Sequence, residues 1–243
     1  MAATAVEVAE NGNADPPRSS LVFLGTGCSS AVPNAMCLIQ PSDPPCHVCS
    51  QSLALPPKQN PNYRCNTSLL IDYCGSEGNH KYILIDVGKT FREQVLRWFT
   101  FHKIPHVDSI ILTHEHAGML FLVWMLYALC NPLVQQMTLI QLPSTSPKMQ
   151  RRVKFPYLVQ KKLKPGQEIR RVAQLDWKII ENDFFHLQTL DAVKRICPKR
   201  ALLIGMTHEF DHHKDNEFLK DWSNREGIPV QLAYDGLRIS IDL

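Results

Sequence analysis

The amino-acid sequence predicts a mixed α/β sandwich, and three observations carry that expectation. Two β-type runs, Thr67–Tyr73 (TSLLIDY) and Lys81–Val87 (KYILIDV), flank a turn at Gly75–Asn79 and read as a hairpin. In the second half, strand-like and helical stretches alternate. The 243-residue chain is 44% hydrophobic and 20% charged, a balance that fills a sizeable core.

The elements follow in order. Residues 1–19 hold acids and no apolar run, and read as a disordered leader, leaving 20–243 as one domain. Ser20–Leu24 is a short apolar strand ending in the Gly25-Thr26-Gly27 turn. Cys28–Pro61, rich in Pro and Cys, reads as loop. Lys89–His102 has helical spacing, with Phe91, Val95, Leu96 and Phe99 on one face. Val107–Thr113 is a strand that delivers His114 and His116 just past its end. Ala173–Ile180 reads as a strand, Leu187–Ile196 as an amphipathic helix, and Arg200–Met206 as a buried strand. Lys214–Glu226 is a helix stopped by Gly227. Val230–Ala233 and Leu237–Ile241 read as a closing hairpin around Asp235-Gly236.

A formal net charge of +3 gives no bulk argument for nucleic acid. No stretch reaches the roughly 18–20 apolar residues that span a bilayer, so no membrane partner is expected. Without a secretory signal the eight cysteines point to a cytoplasmic protein whose clustered thiols serve metal or redox chemistry. Charge is unevenly spread. No Asp, Glu, Lys or Arg occurs from His116 to Pro147, whereas 148–171 is crowded with Lys and Arg and has one acid, Glu168. That basic run either meets phosphates or is a solvated face.

Four constellations can carry chemistry. His114-x-His116 after a strand suits zinc, which takes three protein ligands and a water in catalytic sites; equally, it is a pair of loop histidines. Asp86, in Asp86-Val87-Gly88, either orients a metal-bound histidine or caps the next helix. Cys37 with Cys46-x-x-Cys49 suits a tetrahedral zinc whose fourth ligand is His208, His212 or His213; the alternative is three buried thiols. Gly205–His213 (GMTHEFDHH) follows a buried strand and is either a ligand-bearing loop or a polar lead into a helix.

Taken together and in this order, the motifs resemble the metallo-β-lactamase superfamily. Leu21–Gly27 is similar to its opening strand and turn, Leu84–Gly88 to its Asp-x-Gly strand, and Ile110–His116 to the start of its His-x-His-x-Asp-His signature. The Gly-Thr-Gly turn followed by a Pro and Cys cluster is most similar to the cyclic-phosphate phosphodiesterase branch. The resemblance implies an α/β metallo-β-lactamase αββα four-layer sandwich, with the second half abridged. It implies structural zinc on Cys37, Cys46, Cys49 and His208, and catalytic zinc or manganese on His114 and His116. His212 becomes a possible further active-site ligand, and Asp86 a carboxylate that orients a metal-bound histidine. The implied reaction is metal-dependent hydrolysis of a small phosphodiester. The alternatives are an RNA-processing endonuclease with RNA as partner, and a catalytically inactive zinc-stabilised module.

The chain departs from this pattern after His116. Gly118 and Met119 stand where the signature carries Asp and His, the main ligands of a second metal. A family-like stretch Asp-Ala-Val-Leu-Gly-Leu-Asp-Asp, written in one set of codons and read one base late, yields Met-Leu-Phe-Leu-Val-Trp-Met, the sequence of Met119–Met125. The atypical segment 118–153 is therefore expected to be an out-of-frame reading, from alternative splicing or a misassembled gene. Sequencing the transcript tests this: a frame change is expected near Gly118 and a return near Val153, and a genomic frame unbroken across both positions refutes it.

Overall fold

The computed structural model describes residues 18–113, 138–141, 177–181 and 186–241. Its first strand, β1 (Ser19–Gly25), is buried along its entire length. Side chains alternate across a strand, so a strand covered on both faces must be apolar at consecutive positions. Leu21-Val22-Phe23-Leu24 meets that demand. Val22 and Leu24 join one apolar cluster, and Leu21 and Phe23 join another.

β1 lies in a six-stranded sheet. It pairs antiparallel with β2 (Ser68–Cys74), which forms the expected hairpin with β3 (His80–Ile85). β4 (Ser109–Leu112) and β5 (Thr138–Gln141) continue from β3 in parallel. β5 falls inside the atypical segment 118–153; the rest of that segment, and His114 and His116, lie outside the described residues. A parallel step requires a crossover, and between β3 and β4 it is a helix, α3. α3 runs through Phe91–Gln94, a π-helical turn at Val95–Phe99 and Thr100–His102. The wide turn re-phases the helix face. Trp98 is buried beside Phe91 and Phe99, and Leu96, expected on that face, is exposed.

A second sheet holds β6 (Trp177–Glu181), β7 (Arg200–Ile204) and β8 (Val230–Leu232), all parallel. β7 repeats the double-sided logic of β1. Leu202 and Ile204 cluster with Leu21 and Phe23 of β1. Ala201 and Leu203 instead cluster with Leu190 and Val193 of α4 (His186–Ile196), and with Leu219 and Trp222 of α5 (His212–Glu226). α5 starts at an Asp211 cap accepting from the His213 and Lys214 N–H groups, and stops at Gly227 in the left-handed conformation.

Three expectations need correction. Cys28–Pro61 is not all loop: it holds α1 (Ala35–Ile39), α2 (His47–Ala54) and a 3-10 turn at Pro57–Gln59. Helices this short leave little periodicity to read, and α1 is apolar at all five of its positions. β1 begins at Ser19, taking the last residue assigned to the leader. The closing hairpin does not form. β8 joins the second sheet, while β9 (Arg238–Ile241) pairs antiparallel with β1 in the first. Tyr234–Leu237 carries the chain between the sheets.

Gly236 makes that passage possible. Its φ is +87°, and a Cβ there would overlap the Trp98 ring. Its N–H donates to Phe23 O at 2.7 Å, and its carbonyl lies 2.9 Å from His102 Nε2. Gly236→Ala is therefore expected to destabilise the fold by about 2–4 kcal/mol, from left-handed strain and overpacking together. Thermal or denaturant melting of the two proteins measures the difference, and an unchanged midpoint contradicts this packing.

Candidate metal centre

The centre is built where the ends of β1 and β7 meet. The Thr26 carbonyl accepts from Gly205 N at 2.8 Å and Met206 N at 3.2 Å, and Cys28 N donates to Met206 O at 3.2 Å. Beneath this joint sits Asp235, a buried carboxylate. It accepts from Thr26 N at 2.7 Å, Thr26 Oγ1 at 2.8 Å and Cys65 N at 2.6 Å. Burial raises its pKa to about 6, against the lowering effect of those bonds. The joint brings the Cys-bearing loop after β1 to the loop that carries His208.

Cys37 lies on α1. Cys46 is the residue that caps α2, and Cys49 sits within that helix's first turn. With His208 they form a group whose ligand atoms all lie within 4.8 Å of one another. The Sγ atoms of Cys37 and Cys46 are each 3.6 Å from His208 Nδ1. A tetrahedral zinc, with Zn–S near 2.3 Å and Zn–N near 2.0–2.1 Å, separates its S and N ligands by about 3.6 Å. The spacing therefore fits a tetrahedral cation before any ion is placed. Asn34 N donates to Cys49 Sγ at 3.3 Å, orienting one thiol from outside the group.

The thiols also resist sharing this space without a cation. Burial pushes Cys49 up to about 12; the Asn34 N–H opposes this, and the neighbouring Cys46 and Cys37 thiols add to it. Cys46 is also raised by burial, but the Cys49 backbone N–H and the His208 ring outweigh that and bring it to about 7. One thiolate at the helix start is sustainable alone; a cluster of them is not, so the donor set is suited to a soft divalent metal ion.

Asp86 does not cap the following helix. It has a φ of +58°, is buried, and accepts from Thr113 N at 2.8 Å and from Thr113 Oγ1 at 2.5 Å. Its carboxylate thus fixes the residue directly before His114. His114 and His116, with which His212 is expected to act, lie outside the described residues. His212 opens α5, where its N–H donates to Asn62 Oδ1 at 2.8 Å and its ring meets Tyr234 edge-on. Burial, then Arg64 and His213, lowers its pKa to about 4. It lines a cavity of about 530 Å³ with Lys58, His213, Glu217, Lys220 and Tyr234. It joins no cluster of metal-ligating side chains among the described residues.

Sequence reading missed two residues that hold the centre together. Asp235 looked like a turn residue. Arg64, in Asn62-Tyr63-Arg64-Cys65, carried no local signal at all. It is fully buried, and its Nη1 donates to Thr207 O at 3.0 Å and Phe210 O at 2.9 Å, on either side of His208.

No protein-family model matches the chain, and no curated protein sequence matches it. Among solved structures it is similar to the metallo-beta-lactamase fold protein YhfI from Bacillus subtilis. The TM-score is 0.58 at 12% sequence identity, over 91% of this chain and 99% of that one. The likeness is one of fold: a mixed α/β chain similar to a metallo-β-lactamase-fold structure.

Metal binding must expel protons from Cys49, and below pH 7 from Cys46 as well. Zinc affinity is therefore expected to rise with pH. Between them these two thiols contribute about a hundredfold per pH unit below pH 7 and about tenfold above it, Cys49 being the one of the two still protonated there. Chelator competition from pH 6 to 8 checks this; a flat profile contradicts a thiol-held metal.

Proposed function

We propose that the chain is a metal-dependent hydrolase acting on a small phosphodiester, built on the four-layer αββα arrangement. Cys37, Cys46, Cys49 and His208 hold a structural zinc, and His114 and His116 hold the catalytic zinc or manganese. The observation that carries the reading is Asp86. A buried carboxylate, held in left-handed backbone, binds the N–H and hydroxyl of the residue that leads into His114. Left-handed backbone at a non-glycine residue costs about 1–3 kcal/mol and is enriched at working sites. One nearby residue supports the placement. Asn66 Nδ2 donates to Cys28 O and Ser29 O, and Asn66 Oδ1 accepts from Thr90, so the turn after β1 is fixed against the start of α3.

A metal bound by His114 and His116 supplies Lewis acidity towards the phosphoryl oxygens and lowers the pKa of water towards about 7. The chain's own contribution is to orient those histidines through Asp86 and to hold the surrounding turns rigid. The cysteines described are free thiols, which accords with a reducing cytoplasm. No helix among the described residues is long and apolar enough to cross a membrane.

Metal content by mass spectrometry, alongside a bis-p-nitrophenyl phosphate assay, tests the proposal. Two or more metal ions per chain with turnover are expected, and Asp86→Ala is expected to cut that turnover roughly 10–100-fold while leaving one zinc bound. One tight zinc with no turnover in the unmodified chain identifies an inactive zinc-stabilised module instead.

A further inference from the structure

The four clustered ligands come from two segments far apart in the chain, since Cys37 and His208 are separated by 171 positions. The Thr26 joint brings the two segments together, and one further residue reaches both, Arg64, by its backbone on one side and its side chain on the other. Arg64 is 0% exposed. Its Nη1 binds the carbonyls of Thr207 and Phe210, which bracket His208. Its backbone pairs with Val32 in both directions, Arg64 N to Val32 O at 3.0 Å and Val32 N to Arg64 O at 2.8 Å, on the approach to Cys37. Its Nη2 donates to Asn62 Oδ1 at 3.0 Å. Asn62 in turn donates from Nδ2 to Gln51 Oε1 at 2.6 Å, on the helix that carries Cys49, and accepts from His212 N.

We propose that Arg64 is a positioning residue: it pre-forms the Cys37–Cys46–Cys49–His208 site, and through Asn62 it transmits metal occupation to His212 at the start of α5. The proposal rests on that group being a zinc site. A buried guanidinium is costly unless its donors are used. Here burial lowers the Arg64 pKa to about 10, and Nε has no hydrogen-bond partner among the described residues. A cation kept in such a place is held for its shape. The planar fork reaches two carbonyls and an amide oxygen at once, which the single ammonium of lysine cannot do. The relay also has an end point. The His212 N–H is anchored on the same Asn62 oxygen that Arg64 holds, so tightening the His208 loop tightens the first turn of α5.

The test uses the full chain and Arg64→Lys, which keeps the charge and loses the fork. Val107→Ala, buried in the first-sheet cluster that contains no residue of the His208 loop, serves as a matched destabilised control. Zinc affinity is measured by competition with a chromophoric chelator, and hydrogen exchange is followed over 205–216 with and without zinc. Arg64→Lys is expected to weaken zinc binding by roughly tenfold or more, whereas V107A lowers the melting temperature and leaves zinc affinity within about twofold. In the unmodified chain zinc slows exchange at 205–216, and in Arg64→Lys it does not. Asn62→Leu provides a second arm if Arg64→Lys fails to fold: zinc still binds, more weakly because the Gln51 and Arg64 contacts are lost, and zinc no longer protects His212 and His213; protection that persists there overturns the relay. Zinc affinity in Arg64→Lys equal to that of the unmodified chain overturns the role of Arg64, as does zinc-independent exchange in the unmodified chain. An unmodified chain that binds no zinc overturns the metal site itself, and the proposal with it.

Discussion

The molecule turns on one backbone joint, Thr26. Its N–H and hydroxyl are held by the buried Asp235 carboxylate, and its carbonyl receives the Gly205 and Met206 N–H groups. Four hydrogen bonds at one residue tie the end of a strand in the first sheet to the end of a strand in the second, and both to the crossover at 234–237. A carboxylate buried this deeply is tolerated only because each oxygen is used, Oδ1 by Thr26 and Oδ2 by Cys65. Among the described residues, the Cys-bearing loop, the His208 loop, Asp86 and the start of α5 all lie at this end.

Two kinds of force shape that end differently. Apolar burial between β1 and β7 brings the sheets together but specifies orientation loosely, because leucine and isoleucine packing is adaptable. The buried polar groups Asp235, Arg64, Asn62 and Asn66 add little net stability, yet each accepts only a few arrangements of its partners. The register of the Cys37, Cys46, Cys49 and His208 side chains is therefore set by hydrogen bonding laid over a core that hydrophobicity has already assembled.

Much of the fold was legible because its strands obey simple patterns. The Thr67–Tyr73 and Lys81–Val87 runs announced their hairpin, and the Gly227 stop ended α5 where composition placed it. The second hairpin was misread for a physical reason. Asp-Gly between two apolar runs signals a tight turn, but Asp235 faces inward to Thr26 and Gly236 lies against Trp98, so the chain changes sheets there. Leu96 was placed on the buried face because a regular helix has no π-helical turn, and nothing in the local composition demands one. Within the site, cysteine spacing made the thiol group visible, whereas Arg64 and Asp235 work through partners some 140 to 210 positions away, as with Arg64 to Phe210 and Asp235 to Thr26. A linear pattern cannot display such pairs. His114 and His116 remain a matter of sequence and of the Asp86 contact that leads to them.

The distance of 171 positions between Cys37 and His208 also sets a timetable for birth of the protein. At the roughly 5–20 residues per second of a ribosome, the histidine is made on the order of 10–30 s after the first cysteine. During that interval the three thiols emerge without their fourth partner and without the Thr207 and Phe210 carbonyls that Arg64 will hold. A nascent chain in this state is open to oxidation, to stray metals and to any thiol-seeking chemistry in its surroundings. The completed site is thus a late event in synthesis, and the vulnerability of this protein belongs to its first half-minute more than to its folded life.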